Sequence, residues 1–138
     1  MRLSKRSEYG IKAVIRLTVH SGRGYLQSRE IASSEGLPAK FLESILLALR
    51  SARILESKVG AGGGYRLARD PSQIRVIEVI RALNTTAEDD ASANPDAPGS
   101  VGLRAINRRL EEALEGAVGG LTLAQISAEM GKALSKAG

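Results

Sequence analysis

The 138-residue chain contains no cysteine, so these residues build no disulfide, no thiolate metal site and no thiol redox centre. It has one histidine, His20, and a single histidine makes no metal site alone. Aromatic residues are 3% of the chain, too few for a row of rings that stacks single-stranded bases. The longest uninterrupted apolar run covers residues 45–49, and Met1-Arg2-Leu3-Ser4-Lys5-Arg6 leads into an amphipathic pattern without a signal-type segment. A soluble, cytoplasmic protein with no membrane partner is therefore expected.

What is present is core material and positive charge. Hydrophobic residues make up 43% of the chain, enough for one domain with an attached arm. The net charge of +5 is unevenly spread: residues 1–84 hold 15 Lys or Arg against 7 Asp or Glu, residues 85–138 hold 5 against 8. A basic first part and an acidic remainder suggest that the first part meets a polyanion.

The chain is organised around residues 37–65. Leu42, Ile45, Leu46 and Leu49 recur at i, i+3, i+4 and i+7, an apolar stripe on a helix for which Pro38 suits the first position. Lys40, Glu43, Ser44 and Arg50 occupy its other face. Ile54 and Leu55 open a strand, Gly60-Ala61-Gly62-Gly63-Gly64 permits the backbone of an extended hairpin tip, and Tyr65-Arg66-Leu67-Ala68-Arg69 returns. Upstream, Ser4 caps a helix with Ile11, Val14, Ile15 and Thr18 on one face, widened by Ala13 and Leu17, ending near His20, which reads as a helix-end histidine. Tyr25-Leu26-Gln27 fits a short strand. Ser28 is placed to cap a second helix that Gly36 terminates. Two helices joined by a tight turn, then a glycine-tipped hairpin, predict a winged helix-turn-helix over residues 1–84.

A further apolar segment follows Asp70-Pro71, with Ile74, Val76, Ile77, Val79, Ile80 and Leu83. Residues 85–100, with Glu88-Asp89-Asp90, Asp96 and two prolines, read as an acidic linker and a solvated loop in preference to a cation site. Residues 101–118 form a helix with Leu103, Ile106, Leu110, Ala113 and Ala117 at coiled-coil spacing and Leu114 beside them. That stripe packs on its own domain or on a second copy, and dimers that read two half-sites favour the second copy. Gly119-Gly120 breaks the helix; Leu123, Ile126 and Met130 mark a final short amphipathic helix before a frayed end. The fold class is mainly α with a small β-hairpin wing and a long C-terminal dimerisation helix.

Tyr9, Arg29-Glu30-Ile31-Ala32, Phe41-Leu42-Glu43, Leu49-Arg50, Gly62-Gly63-Gly64-Tyr65-Arg66-Leu67-Ala68, Ile77, Val79 and Leu121-Thr122-Leu123-Ala124 resemble the Rrf-two family of bacterial winged-helix regulators, the group of IscR, NsrR and CymR. The resemblance spans nearly the whole chain. It implies a homodimeric, DNA-binding transcription factor, usually a repressor, that dimerises through the long helix. Many members hold an iron-sulfur cluster with three cysteines before that helix; residues 85–100 contain none, which places this chain in a cysteine-free branch with no cofactor. Where the family wing commonly reads Val-Arg-Gly-Pro, this chain has Lys58-Val59-Gly60-Ala61, leaving Lys58 or Arg66 to replace the minor-groove arginine. Arg53 stands where a helix-ending glycine is usual.

Base reading is assigned to Ala39, Lys40, Glu43 and Ser44 behind Pro38, since Glu43 can accept from cytosine N4 and Ala39 can touch a thymine methyl. Ser28, Arg29, Lys58, Gly60, Gly62, Gly63, Gly64, Tyr65 and Arg66 would position the backbone or enter the minor groove of double-stranded DNA. Two alternatives are a winged-helix protein-interaction module and an effector-binding regulator with weak intrinsic DNA specificity, its effector a small molecule or a protein. An enzyme is excluded as a reading: the glycine run matches neither dinucleotide nor P-loop spacing, and no nucleophile and base are evident.

Overall fold

The computed structural model describes residues 3–84 and 94–137, of the last three the backbone alone. Its order is α1 (Lys5–Val19), α2 (Ser28–Glu35), α3 (Ala39–Ser51), β1 (Leu55–Lys58), β2 (Gly64–Leu67), a 3-10 turn (Pro71–Gln73), α4 (Val76–Asn84), α5 (Pro98–Val118) and α6 (Leu123–Ala137). The acidic run Glu88-Asp89-Asp90 lies outside the described residues. Among the described residues no helix is long and apolar enough to cross a membrane.

Ser4 caps α1, its hydroxyl accepting the Ser7 amide at 3.2 Å. The buried face of α1 is Ser7, Gly10, Ala13, Val14, Leu17 and Thr18, while Ile11 and Ile15 lie at its edge. Ala13, Val14, Leu17 and Thr18 are buried as expected, and the face extends to Gly10, where a Cβ would stand 2.1 Å from Leu83 Cδ1, so the missing side chain lets α4 close onto α1. Ser7 is tolerated inside because its hydroxyl donates to Asn84 Oδ1 at 3.1 Å.

Gly36, at φ 65°, ends α2 in the left-handed conformation. The two helix starts differ by one residue from expectation. Gln27, not Ser28, is the N-cap of α2, and no side chain caps it. Pro38 is the N-cap of α3, because its ψ of 116° is extended while its carbonyl already accepts the Leu42 amide at 3.1 Å. The α3 stripe is buried as expected: Leu42, Ile45, Leu46 and Leu49 are core residues.

α3 ends in a Schellman turn, with the Ile54 amide on the Leu49 carbonyl at 3.0 Å and the Arg53 amide on the Arg50 carbonyl at 2.9 Å. Leu49 and Ile54, the apolar pair of that motif, are both buried. The turn forces Arg53 to φ 63°, alone among the described non-glycine residues with positive φ. A left-handed L-residue costs roughly 1–2 kcal/mol, part of which glycine returns as unfolded-state entropy. Arg53→Gly is therefore expected to raise the melting temperature by roughly 3 °C, read by calorimetry; an unchanged or lower value would show that the Arg53 side chain contributes more than the strain costs.

β1 and β2 pair antiparallel with Leu55 opposite Leu67, Glu56 opposite Arg66, Ser57 opposite Tyr65 and Lys58 opposite Gly64. α4 buries Ile77, Val79, Ile80 and Leu83, consistent with cover on two sides. α5 begins at Pro98, three residues earlier than expected, and buries none of its residues. It is tied to α4 by ion pairs, Arg81 with Glu111 and, at 2.8 Å, with Glu115, and Arg75 with Glu115 at 3.5 Å. Those two glutamates hold Arg81 above the ordinary arginine range, first through the hydrogen bond that its guanidinium donates to Glu111.

The chain then returns to the core. Val76 donates to the Leu121 carbonyl at 2.8 Å and Leu123 to the Ile74 carbonyl at 2.9 Å. Thr122 and Gln125 form a reciprocal capping box that starts α6, at 2.9 and 3.2 Å. α6 is longer than the short helix expected, and its Leu123 is buried in the core.

Candidate nucleic-acid interface

α2, α3 and the hairpin converge on one open concavity of about 490 Å³, lined by Gln27, Ser28, Arg29, Glu43, Lys58, Gly60, Gly63, Gly64 and Tyr65. Eight of the fourteen residues singled out from the sequence lie here: Ser28, Arg29, Glu43, Lys58, Gly60, Gly63, Gly64 and Tyr65. Pro38, Ala39 and Lys40 are exposed at the start of α3. Among the described residues Arg29, Lys40, Glu43 and Lys58 make no ion pair. α2 starts without a side-chain cap, so its first amides stay open to an outside acceptor beside Arg29.

The hairpin is held in place by backbone. Leu26, just before α2, forms a bridge with Tyr65, its amide donating to the Tyr65 carbonyl at 2.9 Å and its carbonyl accepting the Tyr65 amide at 2.7 Å. The short strand expected at Tyr25-Leu26-Gln27 is reduced to this bridge. Gly60 and Gly62 have φ of 94° and 75° with open space where a Cβ would be, whereas Gly63 and Gly64 are crowded. A Cβ on Gly63 would lie 2.2 Å from the Lys58 carbonyl oxygen, and one on Gly64 2.2 Å from that of Leu26. The glycine run thus does two jobs, turning the tip and letting the wing press against the start of α2.

Two of the fourteen lie elsewhere. Arg66 alternates to the opposite side of β2 from Tyr65, where it pairs with Glu56 and stands 4.4 Å above the Tyr25 ring. The Glu56 hydrogen bond holds its guanidinium above the ordinary arginine range. Arg66 borders a small cavity with His20, Ser21 and Gly22, away from the concavity. Ser44 faces the other flank of α3, accepting from Arg6 Nη1 at 3.2 Å and donating to the Phe41 carbonyl at 3.3 Å.

That flank contains residues the sequence reading missed. Lys5, Arg6, Tyr9, Phe41, Ser44 and Ile45 line a second cavity of about 380 Å³ between α1 and α3. Arg6 is fixed by the Leu83 carbonyl at 3.3 Å, and Phe41 is 64% exposed. The available signal was Phe41, a large apolar residue off the Leu42 to Leu49 stripe.

A helix-turn-helix whose second helix and following hairpin share one charged surface defines a winged helix-turn-helix protein of the regulator class. Residues 3–129 match the Rrf2 family, described as iron-dependent transcriptional regulators, and the chain belongs to that family. It is 35% identical to the transcriptional regulator IscR of Sodalis glossinidius over 88 residues, covering 64% of this chain and 53% of that protein. With IscR of Serratia proteamaculans the identity is 30% over 131 residues, covering 91% and 79%. The chain spans about half the length of most of the curated relatives it matches. Among solved structures, T. potens IscR superposes with a TM-score of 0.76 at 28% identity, covering 96% of this chain and 90% of that one. CymR, the global cysteine regulator of B. subtilis, gives 0.71 at 26% identity, covering 94% and 98%. These relatives are transcriptional regulators and not enzymes.

The family description names iron, and the chain offers no thiolate ligand for it. The chain has no cysteine, and among the described residues no three His, Asp or Glu side chains gather to hold a metal ion.

Proposed function

We propose that the protein is a homodimeric, sequence-specific DNA-binding repressor that works without a cysteine-ligated cluster. The observation that carries the reading is the concavity in which the start of α2, Glu43 of α3 and Lys58 of the wing face one space. In this reading α3 enters the major groove, Glu43 accepts from a cytosine amino group, Ala39 and Lys40 meet the neighbouring base edges, and the open α2 amides with Arg29 take a phosphate. Lys5 and Arg6 steady the backbone on the far flank.

Dimerisation is supported by α5. Leu103 and Ile106 are each 57% exposed and Leu110 51%, with Ala113 and Ala117 also exposed and Leu114 half-buried. A contiguous apolar stripe on a helix none of whose residues is fully buried in its own chain fits a second copy. The ion pairs and the backbone pairing of residues 74–76 with 121–123 fix α5 relative to α4, hence relative to α3. Half-site spacing is then set through α4. Repression follows if the bound dimer occupies a promoter, and loss of the protein should raise transcription from that promoter.

The deciding experiment is selection of bound duplexes from a random library at near-physiological salt. An enriched pseudo-palindrome is expected; enrichment of nothing would overturn the reading. On the selected operator, Arg29→Ala and Lys58→Ala should each weaken binding and flatten the salt slope by about 1, measured by anisotropy titrations. An unchanged slope in both would remove them from the phosphate contacts.

A further inference from the structure

The tip of the wing carries no arginine and one large bare apolar side chain. Between Lys58 and Arg66 the chain reads Val59-Gly60-Ala61-Gly62-Gly63-Gly64-Tyr65, without a charge. Val59 is 96% exposed, the highest value of any large apolar side chain among the described residues. The tip beyond it is a defined turn, closed by the Gly63 amide on the Gly60 carbonyl at 3.0 Å, with positive φ at Gly60 and Gly62. Lys58, one residue back, lines the concavity that contains Glu43 of α3, so the tip projects from the edge of the same surface.

Resting on the DNA-binding reading, we propose that Val59 is a specificity-determining residue: it lies on the floor of the minor groove beside the major-groove turn read by α3 and selects A·T over G·C there by exclusion. An A·T pair shows the minor groove only acceptors, while a G·C pair adds the guanine N2 amino donor. Valine has no acceptor for that donor. A guanine under Val59 loses the water on its amino group and gains nothing, and an unsatisfied buried donor is costly. An arginine tip would instead be drawn to the negative potential of a narrow groove. Here the phosphate attraction comes from Lys58 at the groove edge, and the discrimination comes from the shape and apolarity of Val59.

The test uses the full chain and the operator found by selection. Base pairs on the wing side of the α3-contacted bases are changed singly from A·T to G·C and to I·C. Inosine keeps guanine's major-groove edge and lacks the N2 amino group. Binding is measured by anisotropy. At one or two adjacent positions G·C should weaken wild-type binding about tenfold and I·C should restore it. In Val59→Ser and Val59→Asn, whose side chains supply an acceptor, the G·C penalty should fall below about twofold. A G·C penalty equal in wild type and both variants, an I·C duplex as weak as G·C, or no penalty at any flanking position would overturn the role of Val59 while leaving DNA binding intact. A chain that selects no duplex overturns both.

Discussion

Ile106→Glu combined with Leu110→Glu should give a folded monomer that binds a two-half-site operator at least about a hundredfold more weakly than the wild-type chain. Both side chains are more than half exposed in the single chain, and α5 buries none of its residues, so charges there leave the protomer's core untouched. Across a paired α5 stripe the same glutamates would be four like charges in an apolar seam, each without a partner, which a dimer does not withstand. Losing the dimer turns an intramolecular second contact into a separate binding event, a loss of about 10²–10⁴ in avidity. Analytical ultracentrifugation reads the mass, anisotropy reads affinity for the full operator and for one half-site, and circular dichroism checks the fold. Affinity for one half-site should match that of the wild type. A variant that still sediments as a dimer would assign the dimer contact to another surface and leave the α5 stripe without a role.

The elements that could be read from sequence are those whose signal is local. The α3 stripe, the Ser4 cap, the Gly36 terminus and the helix of α5 each depend on residues within two turns of one another, and the structure shows each of them. The features that escaped depend on distant partners. Gly10 reads as a poor helix former until Leu83 is placed against it. That contact brings Gly10 into the buried face of α1, at whose edge Ile11 and Ile15 lie. Arg66 stands directly opposite Glu56 in the hairpin register and pairs with it on the side of the wing away from Tyr65, a placement set by strand register and by no local pattern. Arg53 stood out as a departure, but only the Schellman bonds show that it bears a left-handed backbone. The concavity itself needed the bridge between Leu26 and Tyr65, two residues 39 apart in the chain, which no local pattern announces.

The same bridge makes Gly64 the position in the glycine run where a methyl group should matter most. Gly64→Ala should destabilise the protein by roughly 2–5 kcal/mol, the sum of backbone strain and of two main-chain hydrogen bonds put at risk. At φ 130° an L-residue is strained whatever the space, and here the new Cβ would stand 2.2 Å from the Leu26 oxygen, 2.4 Å from its carbonyl carbon and 2.8 Å from the Gln27 nitrogen. All three are backbone atoms at the entrance to α2, so no rotamer change relieves the overlap. The wing must move away from Leu26, losing the bonds of 2.9 and 2.7 Å, and Lys58 then leaves its position opposite Ser28 and Arg29. Gly62→Ala is the matched control: it shares the positive φ, at 75°, but meets no atom within 4 Å, so it carries strain alone, about 1–2 kcal/mol. Denaturant unfolding of the two variants separates packing from conformational freedom. If Gly62→Ala costs as much as Gly64→Ala, the glycines serve the turn alone and the wing is not held by its contact with the α2 entrance. If Gly64→Ala costs clearly more and operator affinity falls with it, the docking of β2 on Leu26 is what keeps the wing and α3 in one frame.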